Sequence, residues 1–172
     1  KYTKPGDKFL VTGDMRMHTP ILRYAMVLGA VSVGADVDFS EEALSSGAHN
    51  IYSAENTKGY KVQVQLAGSH GVFQKNGAKI KADIGNNRLD PVYGEELAAL
   101  YIGRQDILAN ARQRDAKDVK IHEVSGIEDA IVDMYDKILP PTTKDEILIV
   151  DTRTGVGGSL ATKLLAKRGY EV

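Results

Sequence analysis

The chain has 172 residues, 26% of them charged, and a formal net charge of -1, a balance that argues against an electrostatic nucleic-acid binder. Hydrophobic residues at 42% suffice for one good core with a piece of a second. The absence of cysteine excludes a disulfide scaffold and a thiolate metal site. No apolar run is long enough to span a membrane and no signal peptide is recognisable, so a cytoplasmic, membrane-free protein is expected.

Phe9-Leu10-Val11, bounded by Pro5-Gly6-Asp7 and Gly13-Asp14, reads as a buried strand. Thr19-Pro20 reads as an N-cap followed by a proline at the first helical position. The helix it opens runs to about Val33, with Leu22, Met26, Gly29 and Val33 along one side. Gly34 ends it, and 35–39 returns as a second strand, giving a βαβ unit and hence a parallel pairing. Residues 41–46 form a short helix candidate, and 49–58 is polar and turn-rich, a connector. His18 and His49 have no partner motif and read as solvated side chains, not metal ligands.

Val62, Val64 and Leu66 alternate with Lys61, Gln63 and Gln65. That is period two, a strand with one buried face. Gly68 permits a sharp turn and presents Ser69 and His70 just past the strand end, where α/β sheets hold ligands. Asn76-Gly77 supplies a hairpin-type turn, and Lys79 and Lys81 follow on one face of the next strand. A hydroxyl, an imidazole and an ammonium group are thereby expected to converge on one pocket, a candidate site for phosphoryl chemistry.

Residues 83–90 read as a polar turn region. A long helix is expected over 91–114, with Leu97, Leu100, Tyr101, Ile107 and Leu108 as its core face. Basic residues from Arg104 to Lys120 are interleaved with Asp106, Asp115 and Asp118, a solvated face. An extended stretch at 119–124 and a helix over 127–139 follow. Pro140-Pro141-Thr142-Thr143-Lys144-Asp145 is the best domain boundary, since two prolines cannot continue a helix. Beyond it, 147–150 reads as a buried strand and Gly155-Val156-Gly157-Gly158 opens a helix to about Arg168. Leu160 stands where a dinucleotide fingerprint needs its third glycine, so these glycines read as a turn without a ligand. The chain opens without methionine near its first strand and stops at Gly169-Tyr170-Glu171-Val172 as another begins. A strand cut that short lacks backbone partners, so a fragment of a longer protein is expected.

Ser69-His70, with Asn76-Gly77-Ala78-Lys79 behind it, resembles the phosphoserine loop of the α-D-phosphohexomutases, the phosphoglucomutases and phosphomannomutases. Their pattern is Thr-Ala/Gly-Ser-His-Asn-Pro, a short bulge, then Asn-Gly-x-Lys. The Ser-to-Lys spacing of ten fits, whereas Ala67 replaces the threonine and Gly71-Val72 replaces Asn-Pro. Gly13-Asp14-Met15-Arg16 and Gly34-Ala35-Asp36-Val37 are similar to the family's Gly-Arg-Asp-x-Arg and Gly-x-Asp-Val segments. Asp151 with the later glycines is similar to the opening of the second mutase domain, Thr154 standing where asparagine is usual.

The resemblance implies a three-layer α/β/α domain with a mixed sheet over 1–139, a linker at 140–145, and the first βα unit of a second similar domain over 146–172. It implies an intramolecular phosphotransferase that interconverts hexose 1-phosphate and hexose 6-phosphate through a bisphosphorylated sugar. Ser69 would be the phosphoserine and a ligand of Mg2+, His70 and Lys79 the proton-transfer and charge-stabilising neighbours, and Arg16 a phosphate-supporting arginine; the competing reading of Arg16 is a loop arginine paired with Asp14. Glucose 1,6-bisphosphate is the implied activator and a hexose phosphate the substrate. The family's metal loop, its amino-terminal motif and its sugar-selecting segment do not occur in these residues, so this chain alone is not expected to turn over substrate. The competing reading is a non-catalytic α/β module that binds a sugar phosphate or a partner chain; a truncated nucleotide-binding domain ranks third. Sugar preference and oligomeric state stay open.

Overall fold

The computed structural model describes residues 4–55, 59–68, 71–72, 74–83, 89–95, 118–141, 147–152 and 155–172. Within them, β1 (Lys8–Gly13), β2 (Asp36–Ala43), β3 (Tyr60–Leu66), β4 (Ala78–Asp83), β5 (Leu89–Pro91) and β6 (Ile121–Glu123) form one sheet in the order β5-β4-β3-β1-β2-β6. β1 pairs in parallel with β2 and β3, and β2 with β6, while β3–β4 and β4–β5 are antiparallel. The sheet is mixed, as expected. Helices α1 (Thr19–Ser32), α2 (Ser46–Glu55), α3 (Ile127–Ile138) and α4 (Gly158–Lys167) complete the described elements. With α1 on one face and α2 and α3 on the other, the fold is a three-layer α/β/α arrangement.

The layer under α1 is apolar. Val11, Val37, Val62, Val64, Leu66 and Ala82 meet Val27 and Ala30 of the helix. The helix ends at Gly34, whose φ of 77° is open to glycine at little cost, and its N–H reaches the Val31 carbonyl. The buried stripe of α1 is Thr19, Arg23, Val27 and Ala30, not Leu22, Met26, Gly29 and Val33. Leu22 is 37% exposed and only Met26 and Val33 flank the core. Thr19 explains the rotation: it is the first helical residue rather than the cap, and its hydroxyl is fixed on the buried Asp14 just past β1. Counting 3.6 residues per turn from that anchor brings 23, 27 and 30 inward. Arg23 is thereby buried at 3% exposure over Gly13; burial lowers its pKa, with the Glu41 carboxylate acting against the fall.

The opposite layer is polar. Thr12, Asp38, Ser40, Gln63 and Gln65 are all buried, and so are His49 and Ser53 of α2. Three expectations are corrected here. Residues 41–43 continue β2 instead of starting a helix, 49–55 lies in a helix instead of a connector, and His49 is buried instead of solvated. β3 likewise buries Gln63 and Gln65 as well as its valines, because it is an inner strand covered on both sides. On the far edge, Pro91 belongs to β5 and helical residues begin at Gly94, so the expected start of the long helix moves; its body lies outside the described residues.

α3 packs Ile127 and Ile131 on Leu44 and Ala48, with Leu160 of α4 against the same cluster. Its amino terminus is held by Glu42, whose carboxylate accepts from the N–H groups of Gly126 and Glu128 (3.0 Å for Glu128), a favourable match of anion and helix dipole. Lys163 meets Asp129 at 2.7 Å, Lys167 pairs with Asp133 and Arg168 meets Asp136 at 3.1 Å, so α4 is laced along α3. The expected buried strand at 147–150 is not observed. Ile147 and Ile149 are 92% exposed, and no strand among the described residues pairs with the segment.

Candidate active site

β1 leads through α1 to β2 on one side, while its other neighbour, β3, arrives from β2 over the opposite face. The chain therefore diverges beyond the carboxyl ends of β1 and β3, the switch point where open α/β sheets bind ligands. Asp14 follows directly on β1, its N–H continuing the ladder to the Leu66 carbonyl at 2.9 Å. Its buried carboxylate accepts from the Arg16 N–H (3.1 Å), the Thr19 hydroxyl (2.9 Å), the Gly68 N–H (3.3 Å) and the Arg16 guanidinium. Burial alone would raise the Asp14 pKa; the hydrogen bonds from Arg16, Thr19 and Gly68 and the arginine charge together outweigh it, so the carboxyl lies below its ordinary value.

Arg16 spans the crevice. It pairs with Asp14 and its other terminal nitrogen donates to the Gly71 carbonyl at 3.1 Å. Gly68 and Gly71 flank Ser69 and His70 in the sequence, so one ion pair holds the residues on both sides of that dipeptide. Ser69 and His70 themselves lie outside the described residues. Gly68 admits no side chain: a Cβ there would stand 2.5 Å from the Lys75 carbonyl oxygen and 2.6 Å from the Arg16 guanidinium carbon. β3 and β4 are antiparallel as the turn chemistry suggests, but 67–77 joins them, far longer than a two-residue hairpin. Ala67 N–H closes the base of this loop on the Gly77 carbonyl at 2.9 Å.

Lys79 and Lys81 do share a face of β4, and that face looks at α2. Lys79 Nζ donates to Ser46 Oγ at 2.7 Å and Lys81 Nζ to Asn50 Oδ1 at 2.9 Å. Between them lies His49, sharing a 2.8 Å hydrogen bond with the Thr12 hydroxyl. Burial, reinforced by Lys81 and Lys79, lowers the His49 pKa from 6.5 to about 4, so the ring is neutral at pH 7. The unfolded ring binds a proton below about 6.5, the folded ring only below about 4, so acid favours unfolding across that window. We expect the wild type to be about 2 kcal/mol less stable at pH 5 than at pH 7 from this group. Urea titrations should show that increment shrinking in His49→Gln; an unchanged pH dependence would place the titration elsewhere.

Of the residues expected to act, Arg16 is at the crevice and Lys79 sits on β4 facing Ser46. Thr19 was missed as a site residue; Asp14 was read only as a partner for Arg16, a pairing that is observed, and Asn76 only as part of a turn, although Asp14-x-Arg16 ahead of a helix is the spacing of a carboxylate that bonds its own backbone two residues on. Among the described residues no group of three or more His, Cys, Asp or Glu could hold a metal ion. Asp14, the acid beside the loop, has both oxygens engaged, so these residues supply no Mg2+ cradle. No described helix is long and apolar enough to cross a membrane.

No family model matches the chain. It is similar to phosphoglucosamine mutases. That of Lactobacillus acidophilus is 25% identical over 174 residues, and those of Lactobacillus johnsonii and Lactobacillus gasseri are 26% identical. Each alignment covers 99% of this chain and 37% of the relative, so the chain spans little more than a third of the curated proteins it matches.

Proposed function

We propose that this chain is the front portion of a phosphohexomutase that interconverts hexose 1-phosphates and hexose 6-phosphates through a phosphoserine at Ser69. The observation that carries the reading is the Asp14–Arg16 pair at the switch point, hydrogen-bonded to residues on both sides of Ser69-His70. In the first half-reaction the phosphorus–oxygen bond to Ser69 breaks as a bond to the free sugar hydroxyl forms. One proton moves in net from that hydroxyl to the serine oxygen, with His70 and Lys79 as the neighbouring proton-transfer and charge-stabilising groups. The second half-reaction runs the same exchange from the other end of the bisphosphorylated sugar. Arg16 keeps the loop oriented and supports phosphate. Mg2+, when bound, would offset charge on the transferring group; Ser69 would be its ligand here and the others would come from outside this chain. The names of the relatives make a glucosamine phosphate the first sugar to try.

A non-catalytic sugar-phosphate module is the second reading, favoured by the ammonium of Lys79 resting on Ser46 of α2. Phosphorus NMR of the longer protein with glucose 1-phosphate or glucosamine 1-phosphate, primed with glucose 1,6-bisphosphate, separates the two. Conversion to the 6-phosphate supports the mutase; binding without conversion supports the module.

A further inference from the structure

The loop at 67–77 is closed by a circuit of hydrogen bonds that crosses three separate segments. Thr19 Oγ1 meets Asp14 Oδ1 at 2.9 Å and Asn76 Nδ2 at 2.8 Å, Asn76 Oδ1 accepts from Gly77 N–H at 2.9 Å, and Gly77 carbonyl accepts from Ala67 N–H at 2.9 Å. Gly68 N–H returns the circuit to Asp14 Oδ2 at 3.3 Å. The polarity of every link is dictated. An ionised carboxylate only accepts, so the Thr19 hydroxyl must donate to Asp14 and offer its lone pair to Asn76. The Asn76 amide must then present its NH2 to Thr19 and its oxygen to Gly77. Thr19 is fully buried at 0% exposure and belongs to α1, so the loop is referenced to the rigid helix and not merely to its own strands. A two-residue hairpin would fix its own ends; a connection of this length does not, and leaves many geometries open.

We propose that Thr19 and Asn76, acting through Asp14, are positioning residues that lock the two limbs of this loop, 66–68 and 74–77, to the start of α1. The inference deepens the mutase reading and rests on it for the chemistry that the locked loop serves, where pre-set geometry lowers the barrier to transfer. Thr19→Val removes the hydroxyl at constant shape, Asn76→Ala removes the amide from the loop side, and Thr19→Ser restores the hydroxyl. In amide hydrogen exchange of this chain, Val and Ala variants should speed exchange at Ala67, Gly68 and Gly77 by about tenfold or more, with Val37 and Leu10 changed less than about threefold. Thr19→Ser should return wild-type rates. Unchanged loop amides, or equal acceleration at Val37 and Leu10, would overturn the proposal. In the longer protein the same Val and Ala variants should lower kcat by about tenfold or more while KM stays within about threefold. A wild type that turns over no sugar phosphate would refute the mutase reading, and the exchange contrast would then decide the role of Thr19 and Asn76 by itself.

Discussion

Ser69→Ala in the longer protein is expected to lower mutase turnover by roughly ten-thousand-fold or more, the scale seen when a nucleophile is deleted. The expectation follows from the chemistry of phosphoryl exchange. A phosphoenzyme mutase must store the group between half-reactions, and alanine has no oxygen to store it on. Arg16 and Lys79 could still hold a sugar phosphate, so binding should persist while transfer is lost. Steady-state rates with a hexose 1-phosphate, alongside titration of substrate binding, check both halves. Turnover retained above a hundredth of wild type would remove Ser69 from the mechanism.

Asp14→Asn is expected to cost about 3 kcal/mol of stability, the lower end of what breaking a buried ion pair costs. The side chains of Asp14 and Arg16 are 6% and 15% exposed, so the arginine charge is left with little water to replace its partner. An asparagine keeps the shape but exchanges one acceptor for an NH2. That group would face either the Thr19 hydroxyl and Arg16 N–H or the Gly68 N–H and the guanidinium, all of which donate to the carboxylate in the wild type. The pH dependence has a definite sign. Asp14 has a folded pKa below its unfolded value of about 3.9, so its contribution is fully present above that pH and is lost as acid carries it through the folded value. Urea unfolding at pH 7 and pH 3 should show the variant less stable at neutral pH and the gap narrowing in acid. A loss below about 0.5 kcal/mol at pH 7 would mean that the carboxylate carries no such pairing.

Where glycine and proline punctuate the chain, the fold was legible: β1, α1, Gly34 and the first half of β2 follow in order from residues 8 to 39, and α3 and α4 lie within a residue or two of expectation. The polar layer was not. Gln63, Gln65, Lys79 and Lys81 alternate with apolar residues as if facing water, yet α2 covers that face. α2 itself, reading Ser46-Gly47-Ala48-His49-Asn50-Ile51-Tyr52-Ser53-Ala54-Glu55, contacts the sheet through His49, Ser46 and Asn50. A helix that packs by hydrogen bonds shows little apolar periodicity, so a connector was the reading that pattern allowed. The rotation of α1 was hidden for a related reason. A threonine bonded to Asp14 turned the helix, and the apolar stripe at 22, 26, 29 and 33 lost to that anchor. Arg16 was legible as a residue at the crevice; its bond to Gly71 and the Asp14–Thr19–Asn76 circuit depend on contacts between distant segments that no local pattern encodes.

The central claim is that Ser69 carries a phosphoryl group. Intact mass of the protein purified from its native host, with peptide mapping across residues 62–81, tests it most directly. The account predicts a phosphoryl group on Ser69, restored by glucose 1,6-bisphosphate whenever it has been lost to hydrolysis. An unmodified Ser69 that takes up no phosphate from that donor in the longer protein would contradict it.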